Sequence, residues 1–313
     1  RENENIPLSF MMQVDTQSYK LPNFVEKASR AGCSQVFIGM ESINEDNLKA
    51  AGKNQNRVND FKKLVDAYHD AAIATHLAYI IGFPFDSEES VMSDMLRLKE
   101  LGADQASFFM LTPLPGSMDY RHSISQSVIM DADLNNFDTF HETFRHSRMK
   151  PGAWTRAYES AWESFYSLEN MKRILRRAKP HKYWDLFLNF LWYKNAVQVE
   201  GGHPMLHGIV RLKNRRDRRK TFSLESRRAY FMRRVKDIRR TFLGLLKLAL
   251  ELEEVWLSTR HRNALEERVL LDLGRYQKKI LEWRNLRLPE LRALYRRAAL
   301  QLERTSQRRF SPH

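Results

Sequence analysis

The chain has 313 residues, 42% of them hydrophobic, and a formal net charge of +14. That length and apolar content suit a catalytic-sized folded unit with an appendage and exclude a disordered chain, while the basic excess implies attraction to something anionic and says nothing about fold. The single cysteine excludes a disulfide framework and any metal site built from several thiolates of this chain, so the chain is expected to supply no metal ligand.

No apolar run reaches the roughly 18 residues that would suggest a membrane-spanning helix. With no signal peptide at the start, the expected location is cytoplasmic. The first residue is Arg1, not methionine, so the expectation is either a processed product or a piece of something longer.

Residues 6–14 are apolar-rich and precede Asp15, and Phe24, Val25 and Ala28 follow at helical spacing. The pattern predicts a strand and then a helix, closed by Gly32. Residues 35–42 (QVFIGMES) form a second short apolar run ending in Glu41. After it, Ser42 or Asn44 can cap a short helix that Gly52 closes. Val58, Phe61, Leu64, Val65 and Tyr68 mark one apolar face of a longer helix before a third run, residues 76–84 (HLAYIIGFP). Asp86 or Ser87 then caps a helix over 88–101, with Gly102 beyond it. A fourth run, 106–116 (ASFFMLTPLPG), ends in a Pro and Gly-rich turn. Nearly continuous apolar strands alternating with helices indicate a parallel sheet buried on both faces, whose ligands sit at the carboxyl ends of the strands.

Beyond residue 131 the strand signals fade. Residues 134–144, 154–178 and 183–199 read as helical, with Pro180 as a stop. The sequence Gly201-Gly202-His203-Pro204 is a break. From Arg211 to Arg240 there are fourteen Lys or Arg against three Asp or Glu, and 242–304 are rich in Leu, Glu and Arg, which predicts two or three long amphipathic helices. Residues 305–313 read as a frayed tail.

The ordered set Gly32-Cys33, Gly39-Met40-Glu41-Ser42, Gly82-Phe83-Pro84 and Thr112-Pro113-Leu114-Pro115-Gly116-Ser117 resembles the second half of a radical S-adenosylmethionine (SAM) barrel. The resemblance is greatest to the cobalamin-binding subgroup, and it covers residues 5–120 well. It implies an α/β fold, the second half of a partial (β/α)6 TIM-like barrel with parallel strands. Residues 1–125 would hold strands three to six, 126–203 a helical extension packed on the barrel, and 204–313 a basic, all-helical C-terminal domain. The implied cofactors are SAM, a [4Fe–4S] cluster and, as a further candidate, cobalamin. The implied activity is reductive SAM cleavage to a deoxyadenosyl radical.

Carried onto this sequence, the resemblance assigns Glu41 to the ribose or methionine of SAM. It assigns Ile80 and Gly82 to the adenine face, and Leu111 and Thr112 to the adenine edge. Asp15, at the end of its own strand, could meet SAM or substrate. One departure is severe: the family holds its cluster through a CxxxCxxC loop, and this chain has only Cys33. The cluster ligands and the cobalamin domain are therefore expected outside this chain, which alone would not reduce SAM. A small-molecule or lipid substrate and a reductant protein are the partners this implies.

Each reading has an ordinary counterpart. Glu41 could be a solvated loop carboxylate, and Gly82-Phe83-Pro84 simply a turn out of a strand. Cys33 reads as a small buried packing residue. His203 and His207 have i,i+4 spacing, but the adjoining Pro204 and glycines disfavour a regular helix. The run from Arg211 to Arg240 could contact nucleic acid, yet only Phe222, Tyr230 and Phe231 offer stacking, so a solvated face is the default. A non-catalytic remnant or binding module whose basic helices contact RNA or an acidic partner is the alternative function. An iron-free enzyme using Asp15, Glu41 and His76 ranks below both, because His76 starts its strand.

Overall fold

A computed structural model of the chain describes residues 8–206, 215–216 and 223–260. Its centre is a four-stranded parallel sheet of β1 (Phe10–Val14), β2 (Cys33–Glu41), β3 (Ala74–Ile81) and β4 (Gln105–Met110) in the order β1-β2-β3-β4. Each strand lies beside its predecessor, with no reversal of strand order. This is the strand order of one stretch of a barrel wall, whereas a doubly wound sheet has a switch point. The α/β class and the parallel strands agree with the sequence reading. The crossovers run through α1 (Phe24–Ala31), then α2 (Glu45–Ala50) and α3 (Phe61–Asp70), then α4 (Glu88–Leu101).

Side chains alternate across the sheet. Val36, Ile38 and Met40 of β2, Leu77, Tyr79 and Ile81 of β3, and Ala106, Phe108 and Met110 of β4 are all buried in the core. Helix α3 meets them with Phe61, Leu64, Val65 and Tyr68, the face that the sequence spacing predicts. The opposite face carries Phe37, Gly39 and Glu41 from β2, His76, Ala78 and Ile80 from β3, and Ser107 and Phe109 from β4. Full burial of a large apolar side chain contributes about 1.5–3 kcal/mol, so the helix-facing rows supply most of the sheet's stability.

The free edge of β4 is closed by side chains. Tyr166 Oη donates to the Ala106 carbonyl at 2.6 Å and accepts from the Ala106 N–H at 3.2 Å. Tyr158 Oη donates to the Phe108 carbonyl at 3.1 Å, and the Met110 N–H donates to the Thr139 carbonyl at 2.8 Å. An edge strand left bare would offer these groups to another chain. The tyrosines come from α6 (Ala153–Phe165) and the residue after it.

Local chemistry sets the element ends. Gly32 (φ 100°) and Gly102 (φ 81°) take the left-handed conformation that closes α1 and α4. Ser87 is the N-cap of α4, in a capping box with Ser90, which leaves Asp86 for another task.

The later helices differ from the periodicity. Residues 134–144 contain only a short 3-10 turn, Leu134–Asn136, after α5 (Met118–Ser125). The stretch 154–178 divides at Tyr166–Ser167 into α6 and α7 (Leu168–Arg177), because the Ser167 backbone is extended. Pro180 opens α8 (Pro180–Lys194) at its first turn, where a missing N–H costs nothing. A π-helical turn, Asn195–Glu200, follows.

Helix α9 (Arg227–Thr259) packs through Leu248, Leu252 and Val255 near α7, α8 and the π turn. Gly244 sits against Val199 so closely that a Cβ there would lie 3.1 Å from both methyl groups. About a third of the basic run, His207 and the helices expected beyond residue 260 fall outside the described residues. Among the described residues no helix is long and apolar enough to cross a membrane.

Candidate functional site at the strand ends

The ends of β1 and β2 open into a cleft of about 400 Å³ lined by Gln13, Asp15, Gly39, Glu41, Lys53 and Asn56, with Val14 and Gln55 completing the wall. That volume lies within the range of small-molecule sites, roughly 300–1,000 Å³. The structure thus brings together Asp15 and Glu41, which the sequence placed at the ends of two different strands.

Glu41 is held there by unusual backbone. The register between β2 and β3 shifts between Gly39 and Glu41, and Glu41 has φ 69°. A β-bulge re-aims a side chain, and a non-glycine residue at positive φ costs of order 1–3 kcal/mol. The Glu41 side chain lies over Gly39, where an added Cβ would come 3.2 Å from Oε1. Lys53 Nζ stands 3.4 Å from the same oxygen and leaves the carboxylate about one-fifth exposed.

Asn56 fixes the cleft floor. Its Nδ2 donates to the Gly39 and Met40 carbonyls at 3.2 and 3.0 Å, and its Oδ1 accepts from Thr16 Oγ1 at 2.7 Å. Asp15 Oδ1 accepts from the Gln17 N–H at 2.6 Å, an Asx turn that sets the loop. Lys53 and Asn56 escaped the sequence reading because they lie in the connection before α3, with no motif around them. Their only signal is position, in the loop that follows a strand-end carboxylate.

Ile80, Gly82, Leu111 and Thr112 sit at the ends of β3 and β4 and do not line this cleft. Ile80 is half-buried and paired in register with Phe109. The Leu111 N–H donates to the Ile81 carbonyl at 2.9 Å, and Thr112 Oγ1 donates to the Met110 carbonyl at 3.0 Å. Gly82 has φ 112°, and a Cβ there would lie 2.0 Å from the indole of Trp154. Packing and backbone alone therefore require the glycine.

The buried carboxylate of Asp86 ties down the Gly-Phe-Pro turn. Its Oδ2 accepts from the N–H groups of Gly82 and Phe83 at 2.8 and 3.0 Å, and its Oδ1 from Asn47 Nδ2 at 2.6 Å. Burial raises its pKa, opposed by these three donors. On the far side, His146 Nδ1 accepts from the N–H groups of Arg148 and Met149, which leaves Nε2 to donate to the Phe83 carbonyl at 3.0 Å.

His76 lies on the Glu41 face of the sheet but nearer the start of the strands, where it aligns with Phe37 and Gln105. Its Nε2 is 2.8 Å from Ser107 Oγ and 3.3 Å from Tyr193 Oη, and Nδ1 is 3.4 Å from Gln35 Nε2. Burial, with repulsion from His203, pushes its pKa down to about 3, so the ring is neutral at ordinary pH. Both nitrogens are engaged away from the cleft.

Cys33 is buried, its Sγ 3.2 Å from the Gln35 carbonyl, and burial raises the thiol's pKa. A cluster ligand needs the thiolate. Among the described residues no group of three or more His, Cys, Asp or Glu could hold a metal ion. These residues do not fit an iron–sulfur cluster. For a nucleoside the fit is better, because the cleft offers carboxylate acceptors at Asp15 and Glu41 and a cation at Lys53.

No protein-family model matches the chain. It is 29% identical over 199 residues, 61% of its length, to the bacteriochlorophyllide d C-12(1)-methyltransferase of Chlorobaculum tepidum, covering 39% of that enzyme. It is 24% identical over 191 residues to the C-8(2)-methyltransferase of the same organism, covering 59% of this chain and 42% of that one. The chain thus spans about two fifths of the length of these relatives.

Among solved structures, the radical SAM methyltransferase TsrM from Kitasatospora setae aligns over 40% of this chain and 25% of its own, at 20% identity and a TM-score of 0.34. The radical SAM coproporphyrinogen III oxidase HemN of Escherichia coli aligns over 34% of this chain and 24% of its own, at 19% identity and a TM-score of 0.32. The chain is thus similar in sequence to bacteriochlorophyllide methyltransferases, and its parallel strand topology is the one that the radical SAM resemblance implies.

Proposed function

We propose that this chain carries the SAM-holding part of a radical SAM methyltransferase, and that the residues holding the iron–sulfur cluster, and cobalamin if it is used, lie outside it. The observation that carries this reading is the convergence of Asp15, Glu41 and Lys53 on one cleft at the carboxyl ends of parallel strands. In α/β sheets this is where ligands bind. Two ribose hydroxyls match a carboxylate acceptor, and the methionyl part of SAM carries a carboxylate that a lysine can pair. Ile80, Leu111 and Thr112 would border the base further along the strand ends.

Glu41 is the residue we assign to SAM orientation, with Lys53 holding it in place. Bound elsewhere in the full assembly, a cluster would supply the electron for SAM cleavage. Equilibrium dialysis of the chain against labelled SAM tests the reading. Saturable binding that weakens in Glu41→Gln is expected. Absence of binding at millimolar SAM would leave a non-catalytic module.

A further inference from the structure

The part of α9 that precedes its packed residues has an apolar stripe that none of the described residues covers. Phe231, Val235, Ile238, Phe242, Leu246 and Leu250 recur at steps of four, three, four, four and four residues, and all are exposed, Phe231 by 64%, Ile238 by 57% and Phe242 by 65%. This spacing places them on one side of a helix. The residues that bury α9 in the fold, Leu248, Leu252, Val255 and Thr259, follow a second line rotated from the first. One helix thus carries two apolar faces, and among the described residues only one is packed. From Phe231 to Leu250 the stripe is about 30 Å long. A stripe of large exposed apolar residues on one helix marks an interaction site.

The charges around it say what kind. Residues 227–247 contain eight Lys or Arg and one Asp. That aspartate, Asp237, is 3.6 Å from Arg233 and 3.9 Å from Arg234. Arg228 and Arg239 project beside the stripe, and Lys236, Arg240 and Lys247 rim its far side; all five are exposed. Three glutamates follow, which in the sequence alone argue against an anionic surface. Two of them are paired with cations: Glu251 with the buried Lys194 at 2.7 Å, and the exposed Glu254 with Lys172. The third, Glu253, falls on the stripe's own line and ends it after Leu250.

We propose that α9 is a membrane-surface helix: its exposed stripe enters the headgroup region of an anionic lipid layer, and its arginines and lysines pair with lipid phosphates. An apolar face rimmed by Arg and Lys has the chemistry of interfacial helices, in which buried apolar area and attraction to anionic lipid act together. Long basic side chains reach up to the headgroups while their stems cover apolar surface. Nucleic acid would use the same cations but has no use for a row of Val, Ile and Leu, so the stripe favours lipid.

The test is co-sedimentation of the full chain with phosphatidylcholine vesicles, with and without phosphatidylglycerol. Binding to the anionic vesicles that weakens with salt is expected, with roughly tenfold weaker binding to phosphatidylcholine alone. Ile238→Asp with Phe242→Asp should reduce binding to the anionic vesicles roughly tenfold or more, with the circular dichroism spectrum unchanged because both sites are exposed. A second variant, Arg239→Glu with Arg240→Glu, should lose the preference for anionic lipid. Three results would overturn the proposal: no vesicle binding, equal binding by the stripe variant, or wild-type self-association that the stripe variant abolishes.

Discussion

Trp154 fills the space that a side chain at Gly82 would need. Its indole lies 2.0 Å from an added Cβ, and its Nε1 donates at 2.9 Å to the carbonyl of Ile81, one residue earlier. Helix α6 thereby fixes the turn at the end of β3. Gly82→Ala must both adopt φ 112° and displace a fully buried ring, and a loss of roughly 2–4 kcal/mol is expected. Trp154→Ala alone should cost roughly 3–5 kcal/mol. In the double variant the collision is gone, so urea denaturation should show a total well below the sum of the two. Additive losses would mean that strain at φ 112° dominates and the indole is incidental.

If Glu41 orients SAM as proposed, it links backbone cost to binding. Glu41→Gln keeps size and backbone but removes the charge, and should weaken SAM binding about 10- to 100-fold, the worth of hydrogen bonds to an ionised acceptor. Glu41→Gly relieves the positive φ and loses binding, so its unfolding free energy should stay within about 1 kcal/mol of the parent. Calorimetric titration beside thermal unfolding separates the two effects.

His76 should make stability depend on pH. In the unfolded chain it protonates below its ordinary pKa of 6.5, while in the fold it resists protonation down to about 3. Between those values the unfolded state binds more protons, so stability is lost as pH falls, by at most about 1.4 kcal/mol per pH unit. Denaturation at pH 7 and pH 5 should show the fall, and His76→Asn should flatten it. Parallel curves for the two proteins would mean that His76 charges in place.

The Asp86–Asn47 pair offers a reciprocal exchange. Asp86→Asn turns an amide donor toward a neighbouring donor and should cost roughly 1–3 kcal/mol. Adding Asn47→Asp restores an acceptor opposite it while still accepting from the Phe85 N–H, now 3.0 Å from Asn47 Oδ1. Chemical denaturation should show partial recovery in the exchanged protein. No recovery would place the importance of Asp86 in its negative charge.

The sequence alone determined the four strands, their parallel order and the helices between them, because buried parallel strands are apolar throughout and the helices carry apolar faces at regular spacing, with Gly32 and Gly102 closing two of them. It also carried the resemblance to the radical SAM enzymes, since the motifs lie in short segments whose order is legible without any three-dimensional information. Asp15 and Glu41 were legible as strand-end carboxylates. That they share one cleft, with Lys53 and Asn56 as further walls, was decided by the register shift and positive φ at Glu41, which no local propensity encodes.

Gly82 shows the same division. Its place in a turn is written in the Gly-Phe-Pro sequence, while its collision partner comes from a helix 72 residues later. The break between α6 and α7, and the edge-capping role of Tyr158 and Tyr166, were likewise invisible to helical spacing. In α9, periodicity alone cannot tell a stripe buried in the fold from one left bare. Only packing decides that, because burial depends on what another part of the chain brings to the face.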